Sequence, residues 1–155
     1  MNMKKFAKSM LGVTLLEIML VLAIAAMIIV MSVRYYQSAT SNQQANAVLQ
    51  MVQGITAAAD GLAQSTGGYS QATTVSIGPL MPNSSLRTPW GGDITITPGS
   101  GTSPSTYKVN IAGTPQAVCA LLTSRLKANI KYTDIKPATC SKTPNAIEYT
   151  YDAQK

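Results

Sequence analysis

The 155-residue chain contains no histidine. The usual general base near neutral pH is therefore missing, which excludes Ser-His-Asp and Cys-His catalytic arrangements. Carboxylates are scarce too, six against twelve Lys and Arg. Glu17 falls in an apolar run, and Asp60, Asp93, Asp134, Glu148 and Asp152 are scattered, with no acidic loop of calcium-ligand spacing. Two cysteines without histidine cannot supply a usual tetrahedral zinc set, and Cys119 and Cys140 lack the C-x-x-C spacing of a redox pair. There is no G-x-x-x-x-G-K-[ST] phosphate loop, and Gly67-Gly68 and Gly91-Gly92 are turn material. These absences argue against an enzyme, and no catalytic residue, cofactor or metal is expected.

What the chain does have is an ordered N-terminus. Lys4, Lys5 and Lys8 precede Gly12, and Val13 to Val33 then form an apolar run interrupted by one carboxylate, Glu17. As a helix this run is ~31 Å long, close to the hydrocarbon thickness of a bilayer. The lysines hold the leader in the cytoplasm by the positive-inside rule. An ordinary signal peptide carries its small-residue cleavage site after the apolar stretch and loses that stretch. Here the small residue, Gly12, comes first, so cleavage behind it keeps the membrane segment. Three of the twelve cations leave with residues 1–12, and nine against six acids is a net charge of +3 rather than the +6 of the full chain. That modest charge gives little attraction for nucleic acid.

Glu17 is the anomaly in the run. A charged side chain at the centre of a membrane helix costs about 2.5–3.5 kcal/mol on insertion scales. Two readings follow. Glu17 can sit near the helix start, reach the headgroups and complement the helix dipole. Alternatively, after cleavage behind Gly12, it becomes the fifth residue, one turn from a new Val13 α-ammonium, and pairs with that charge in its own subunit or a neighbour.

Gly12-Val13-Thr14-Leu15-Leu16-Glu17, followed by Ile18 to Val33, resembles the processing site of type IV pilins. The resemblance implies that a prepilin peptidase cuts between Gly12 and Val13, that Val13 is N-methylated, and that Glu17 docks the incoming subunit during filament growth. Val13 stands where one pilin class carries phenylalanine. The chain is thus similar to the type IVb class, which includes bundle-forming, toxin-coregulated and conjugative thin-pilus pilins, although its leader is shorter than many in that class. The implied partners are further copies of the chain in a helical homopolymer, the prepilin peptidase, the inner-membrane pilus assembly machinery and the inner membrane itself, with a host or recipient cell surface as an outer contact. The expected location is the inner membrane with a periplasmic head, then an extracellular pilus. A minor pilin or type II secretion pseudopilin is the nearest alternative, and a membrane-anchored DNA- or ligand-binding module a remoter one.

The expected fold is α+β: a long N-terminal α-helical spine packed on a small head with an antiparallel β-sheet. Residues 1–12 form the leader, 13–34 the membrane and filament-core helix, 35–65 an amphipathic continuation, and 66–155 the head with a C-terminal disulfide region. No Gly or Pro occurs from Val13 through Gln53, so nothing interrupts the helix. Arg34, Tyr35 and Tyr36 suit a membrane interface. Val48, Val52, Ile55, Ala59 and Leu62, spaced four and three apart, make a packing stripe. Gly61, Gly67 and Gly68 mark the helix end.

Strands are expected at Thr73–Ile77, Ile94–Thr97, Tyr107–Ile111 and Ala146–Tyr151, with Ile147, Tyr149 and Tyr151 on one face. A second helix carries Val118, Leu121, Leu122 and Leu126, with Thr114 as its cap, Pro115 in its first turn, and Arg125, Lys127 and Lys131 near its negative end. Gly99 to Ser105 reads as an exposed loop. Trp90, the only tryptophan, lies in the turn Thr88-Pro89-Trp90-Gly91-Gly92, where it plugs the edge of a small core or, less favoured, binds sugar. Cys119 and Cys140 are expected to form one disulfide in an oxidising periplasm, worth about 3 kcal/mol on the chain-entropy model. Type IV pilins commonly close a C-terminal region with such a bridge, and the enclosed Ala120 to Thr139 is then a subunit-contact and exposed surface. Lys127, Lys131, Tyr132 and Lys136 are the nearest approach to a basic, aromatic strip, and are read as a solvated face.

Overall fold

Helix α1 runs from Leu15 to Thr66 in the computed structural model, which describes residues 14–82, 86–99, 105–141 and 145–155. The chain divides after Ala39 into two units. In the first, the helical residues up to Val33 are exposed apart from half-buried Ala25. In the second, α1 buries Ala45, Val48, Val52, Ile55 and Ala59, the three-and-four spacing that a helix needs to present one face. Gly61 does not end the helix, which passes through it. The stop is Gly67, in the left-handed conformation at φ +79°, with its N–H donating to the Ala63 carbonyl at 2.8 Å.

A short 3₁₀ turn, Tyr69–Gln71, leads to α2, Thr74–Ile77, and a second 3₁₀ turn, Gly78–Leu80. The strand expected at Thr73–Ile77 is therefore a helical turn. Its cause is local: the Thr73 hydroxyl accepts from the Ser76 N–H at 3.3 Å and lies 2.9 Å from the Ser76 hydroxyl, and such N-capping overrides the β preference of Thr and Val.

The strands are β1 (Ile94–Pro98), β2 (Thr106–Thr114), β3 (Tyr132–Lys136) and β4 (Asn145–Asp152), in sheet order β1-β2-β4-β3 with every pair antiparallel. On the inner face Tyr107, Val109 and Ile111 lie opposite Tyr151, Tyr149 and Ile147, all buried in one core with the α1 stripe. The outward edge of β1 is closed by other groups. Ile94 N–H donates to the Leu86 carbonyl at 2.8 Å, and the Thr74 hydroxyl accepts from Ile96 N–H at 2.8 Å and donates to its carbonyl at 3.2 Å. This pairing shields an edge otherwise open to further strands.

Between β2 and β3 lies α3, Gln116–Lys127. Val118, Leu122 and Leu126 are buried and Leu121 is half-buried. Pro115, expected in the first turn, instead occupies the N-cap position, and no side chain caps the helix there; Thr114 lies one residue earlier. A residue before proline is driven to extended backbone, so Thr114 remains the last residue of β2, its hydroxyl donating to the Ile111 carbonyl at 3.4 Å. Of the loop Gly99 to Ser105, residues 100–104 lie outside the described residues.

Candidate assembly site

Thr14 initiates α1. Glu17 N–H donates to both the carbonyl oxygen of Thr14 at 2.9 Å and its hydroxyl at 3.3 Å. Thr14-Leu15-Leu16-Glu17 matches the S/T-x-x-E pattern of a capping box, a helix-start signal carried by the sequence itself. The Glu17 carboxylate sits in the first turn and is exposed. Acid at this place complements the positive end of the helix dipole. Among the described residues the one ion pair is Arg87–Asp93 at 3.2 Å, so Glu17 has no cationic partner within them. The processing residues Gly12 and Val13, with the leader lysines, lie outside the described residues.

Around Glu17 the helix is apolar on every side. Leu15, Leu16, Met27 and Met31 are each at least two-thirds exposed, and Ile18 to Val33 offer no polar face beyond Ser32, whose hydroxyl donates to the Ile28 carbonyl at 2.8 Å. Among the described residues this is the one helix long and apolar enough to cross a membrane. Arg34, Tyr35 and Tyr36 follow, all exposed. The segment thus combines an unburied apolar cylinder, a carboxylate at its start and a cation with two phenols at its end. It is compatible with membrane anchoring.

In the head, Cys119 and Cys140 are joined as a disulfide, with Cα atoms 6.0 Å apart. Cys119 is buried on α3 and Cys140 half-buried beyond β3, so the bridge ties the helix to the segment that follows the edge strand. The enclosed residues include Arg125, Lys127 and Ile130, all exposed; Arg125 also donates to the Asn46 side chain on α1. The basic strip does not assemble into a stacking platform. Tyr132 is half-buried with its hydroxyl 3.3 Å from Thr56, and Lys131 lies 5.9 Å from the Tyr151 ring centre. No cluster of metal-ligating side chains occurs among the described residues.

Trp90 packs against the core, and its indole N–H donates to the Ala112 carbonyl at 3.1 Å. The donor that a sugar would use is thus occupied by backbone. The turn beneath it is closed by Thr88, whose hydroxyl accepts from Gly92 N–H at 2.8 Å and donates to the Gly92 carbonyl at 3.0 Å. No protein-family model, curated protein or solved structure matches this chain.

Proposed function

We propose that the chain is a structural subunit which polymerises into a type IVb-like pilus after a prepilin peptidase cuts between Gly12 and Val13 and methylates Val13. One observation carries the reading: an apolar cylinder from Leu15 to Val33, exposed on all sides, with a single carboxylate in its first turn. A helix apolar all round must be covered, by lipid before assembly and by the same helix of other copies afterwards. In lipid a carboxylate is tolerated near the helix start. Inside a packed filament it needs a cation, and the Val13 ammonium of a neighbour is the cation that cleavage creates.

On this reading the uncleaved protein rests in the inner membrane with its head in the periplasm, and loss of residues 1–12 leaves a subunit that the assembly machinery extracts. Glu17 of the entering subunit selects register by pairing with the Val13 ammonium, while Leu15 to Val33 supply apolar contact. The head surface, held together by Cys119–Cys140, is then the face available for adhesion, aggregation or mating contact with a host or recipient cell. The test is the intact mass and N-terminal sequence of the protein recovered from cells that contain its cognate peptidase. A chain that begins at methylated Val13 supports the proposal. A chain that retains Met1, or one cut after the apolar segment, overturns it.

A further inference from the structure

Between Thr14 and Ala59 the chain carries two formal charges, Glu17 and Arg34. Both are exposed on α1, and neither makes an ion pair among the described residues. Arg34 is also the one cationic side chain of α1, whose other carboxylate, Asp60, is engaged by the Tyr69 hydroxyl at 2.5 Å. The 17 residues of helix that separate Glu17 from Arg34 place them ~25 Å apart along the axis and about 100° apart around it. They therefore cannot meet within one chain. On the Arg34 side, Ala26, Met27, Val30 and Met31 line a shallow apolar groove together with Arg34 itself.

We propose that Arg34 is a second cation for Glu17 in the assembled polymer: Glu17 of one copy binds Arg34 of a parallel copy displaced by ~25 Å along the axis. The pairing rests on the proposed pilus function, in which Glu17 also meets the Val13 ammonium of a different neighbour. A carboxylate has two oxygens and accepts from both. Copies inserted in one membrane share an orientation, so their helices pack parallel. At equal height, parallel copies put Glu17 beside Glu17 and Arg34 beside Arg34, and both contacts repel. A displacement of 17 residues replaces them with an opposite-charge pair, and no other displacement does so between side chains from Thr14 to Ala59. The same displacement sets Thr14 beside Met31, which seats the start of the entering helix on the groove. In the bilayer Arg34 reaches headgroup phosphates. A filament drawn out of lipid has lost those phosphates, and a cation against an apolar cylinder then needs a carboxylate. Because the two charges point in directions about 100° apart, a copy that gives Glu17 to one neighbour gives Arg34 to another. Such a contact is heterologous and does not close on two copies, so it propagates as a polymer.

Filaments sheared from cells that contain the cognate peptidase test the pairing. Val21→Cys with Ser38→Cys puts one thiol a helical turn beyond Glu17 and the other a turn beyond Arg34, and leaves both charges in place. Within a chain these sites are ~25 Å apart, far outside disulfide reach. Oxidised double-variant filaments should give a ladder of covalent multimers on a non-reducing gel, and neither single variant should give one. Leu20→Cys with Gln37→Cys samples the same displacement on the adjoining ridge, and serves if the first pair does not assemble. Arg34→Gln should lower the filament fraction of processed subunit about tenfold, and Arg34→Lys should restore most of it. Filaments without the ladder overturn the pairing and leave the pilus function standing, as does a normal filament fraction in Arg34→Gln. A loss in Arg34→Gln without the ladder assigns Arg34 to lipid headgroups instead. Dimers from a single variant would put equal positions side by side and overturn the displacement. A parent that is not cleaved at Gly12, or forms no filaments, overturns the pilus function and the pairing with it.

Discussion

Thr14 and Glu17 close the first turn of α1 on each other, the Glu17 N–H lying 2.9 Å from the Thr14 carbonyl and 3.3 Å from its hydroxyl. The backbone N–H of Glu17 is thereby satisfied within the chain, while its carboxylate is exposed and makes no ion pair among the described residues. Glu17→Ala removes the carboxylate and keeps the helix, since alanine is the best helix former. The expected variant is cleaved and membrane-held but enters filaments poorly. Quantifying sheared filaments against total processed subunit checks this, and a normal filament fraction would sink the assembly role of Glu17.

Cys119→Ser should destabilise the head by about 3 kcal/mol, a fall of roughly 10 °C in midpoint for a domain of this size. The bridge is the covalent tie between α3 and the segment beyond β3, and Cys119 is fully buried, so the serine hydroxyl would also be placed in an apolar setting. Thermal unfolding followed by circular dichroism measures it. A midpoint that does not move would mean that the bridge contributes nothing to the fold.

Periodicity was legible where it is long and physically simple. The Val48, Val52, Ile55, Ala59 stripe, the alternation around Ile147, Tyr149 and Tyr151, and the helical spacing of Val118, Leu122 and Leu126 all mark buried faces, because burial at a fixed period needs no distant partner to be recognised. Short segments were not legible. Thr73–Ile77 has β-branched residues, yet the Thr73–Ser76 hydroxyl cap and the grip of Thr74 on Ile96 make it a helical turn, and only the last of these involves a contact far along the chain. Strand β3 escaped for the opposite reason. Asp134 sits at φ +51° and the pairing with β4 shifts between Thr133 and Lys136, so no clean alternation exists to find. Lys127, Lys131 and Lys136 are exposed, as a solvated face requires, whereas Tyr132 departs from it, half-buried with its hydroxyl 3.3 Å from that of Thr56. At the candidate site, Glu17 was legible as a carboxylate in an apolar run, whereas the cap by Thr14 was missed although the S/T-x-x-E pattern stood in the sequence.

Gly92→Ala tests the turn beneath Trp90. A Cβ at Gly92 would lie 2.1 Å from the Ala112 carbonyl oxygen, a backbone atom that also accepts the Trp90 indole N–H at 3.1 Å. The backbone cannot yield without breaking that bond, so a loss of about 2–3 kcal/mol is expected. As Trp90 is the only tryptophan, its emission reports the site directly. It should shift to longer wavelength as the indole becomes wetter, and an unchanged spectrum with unchanged stability would contradict the contact.

Alkaline pH should unfold the head by a defined route. Burial raises the phenols of Tyr69, Tyr107 and Tyr149 well above the ordinary value of about 10, with Asp60 adding to the effect at Tyr69. The folded chain therefore keeps these three protons at a pH where the unfolded chain has released them. Stability that favours the protonated phenols is fully present below about pH 10 and falls as pH rises above it, because the unfolded state then binds fewer protons than the folded one. Tyrosinate absorbance and circular dichroism recorded along one titration test this. The three phenols should ionise together with the loss of secondary structure, in a single cooperative step. Independent ionisation of all seven tyrosines while the circular dichroism stays native would show that the inner sheet face is open to hydroxide and that the packing of Tyr107 against Tyr151 does not exclude water.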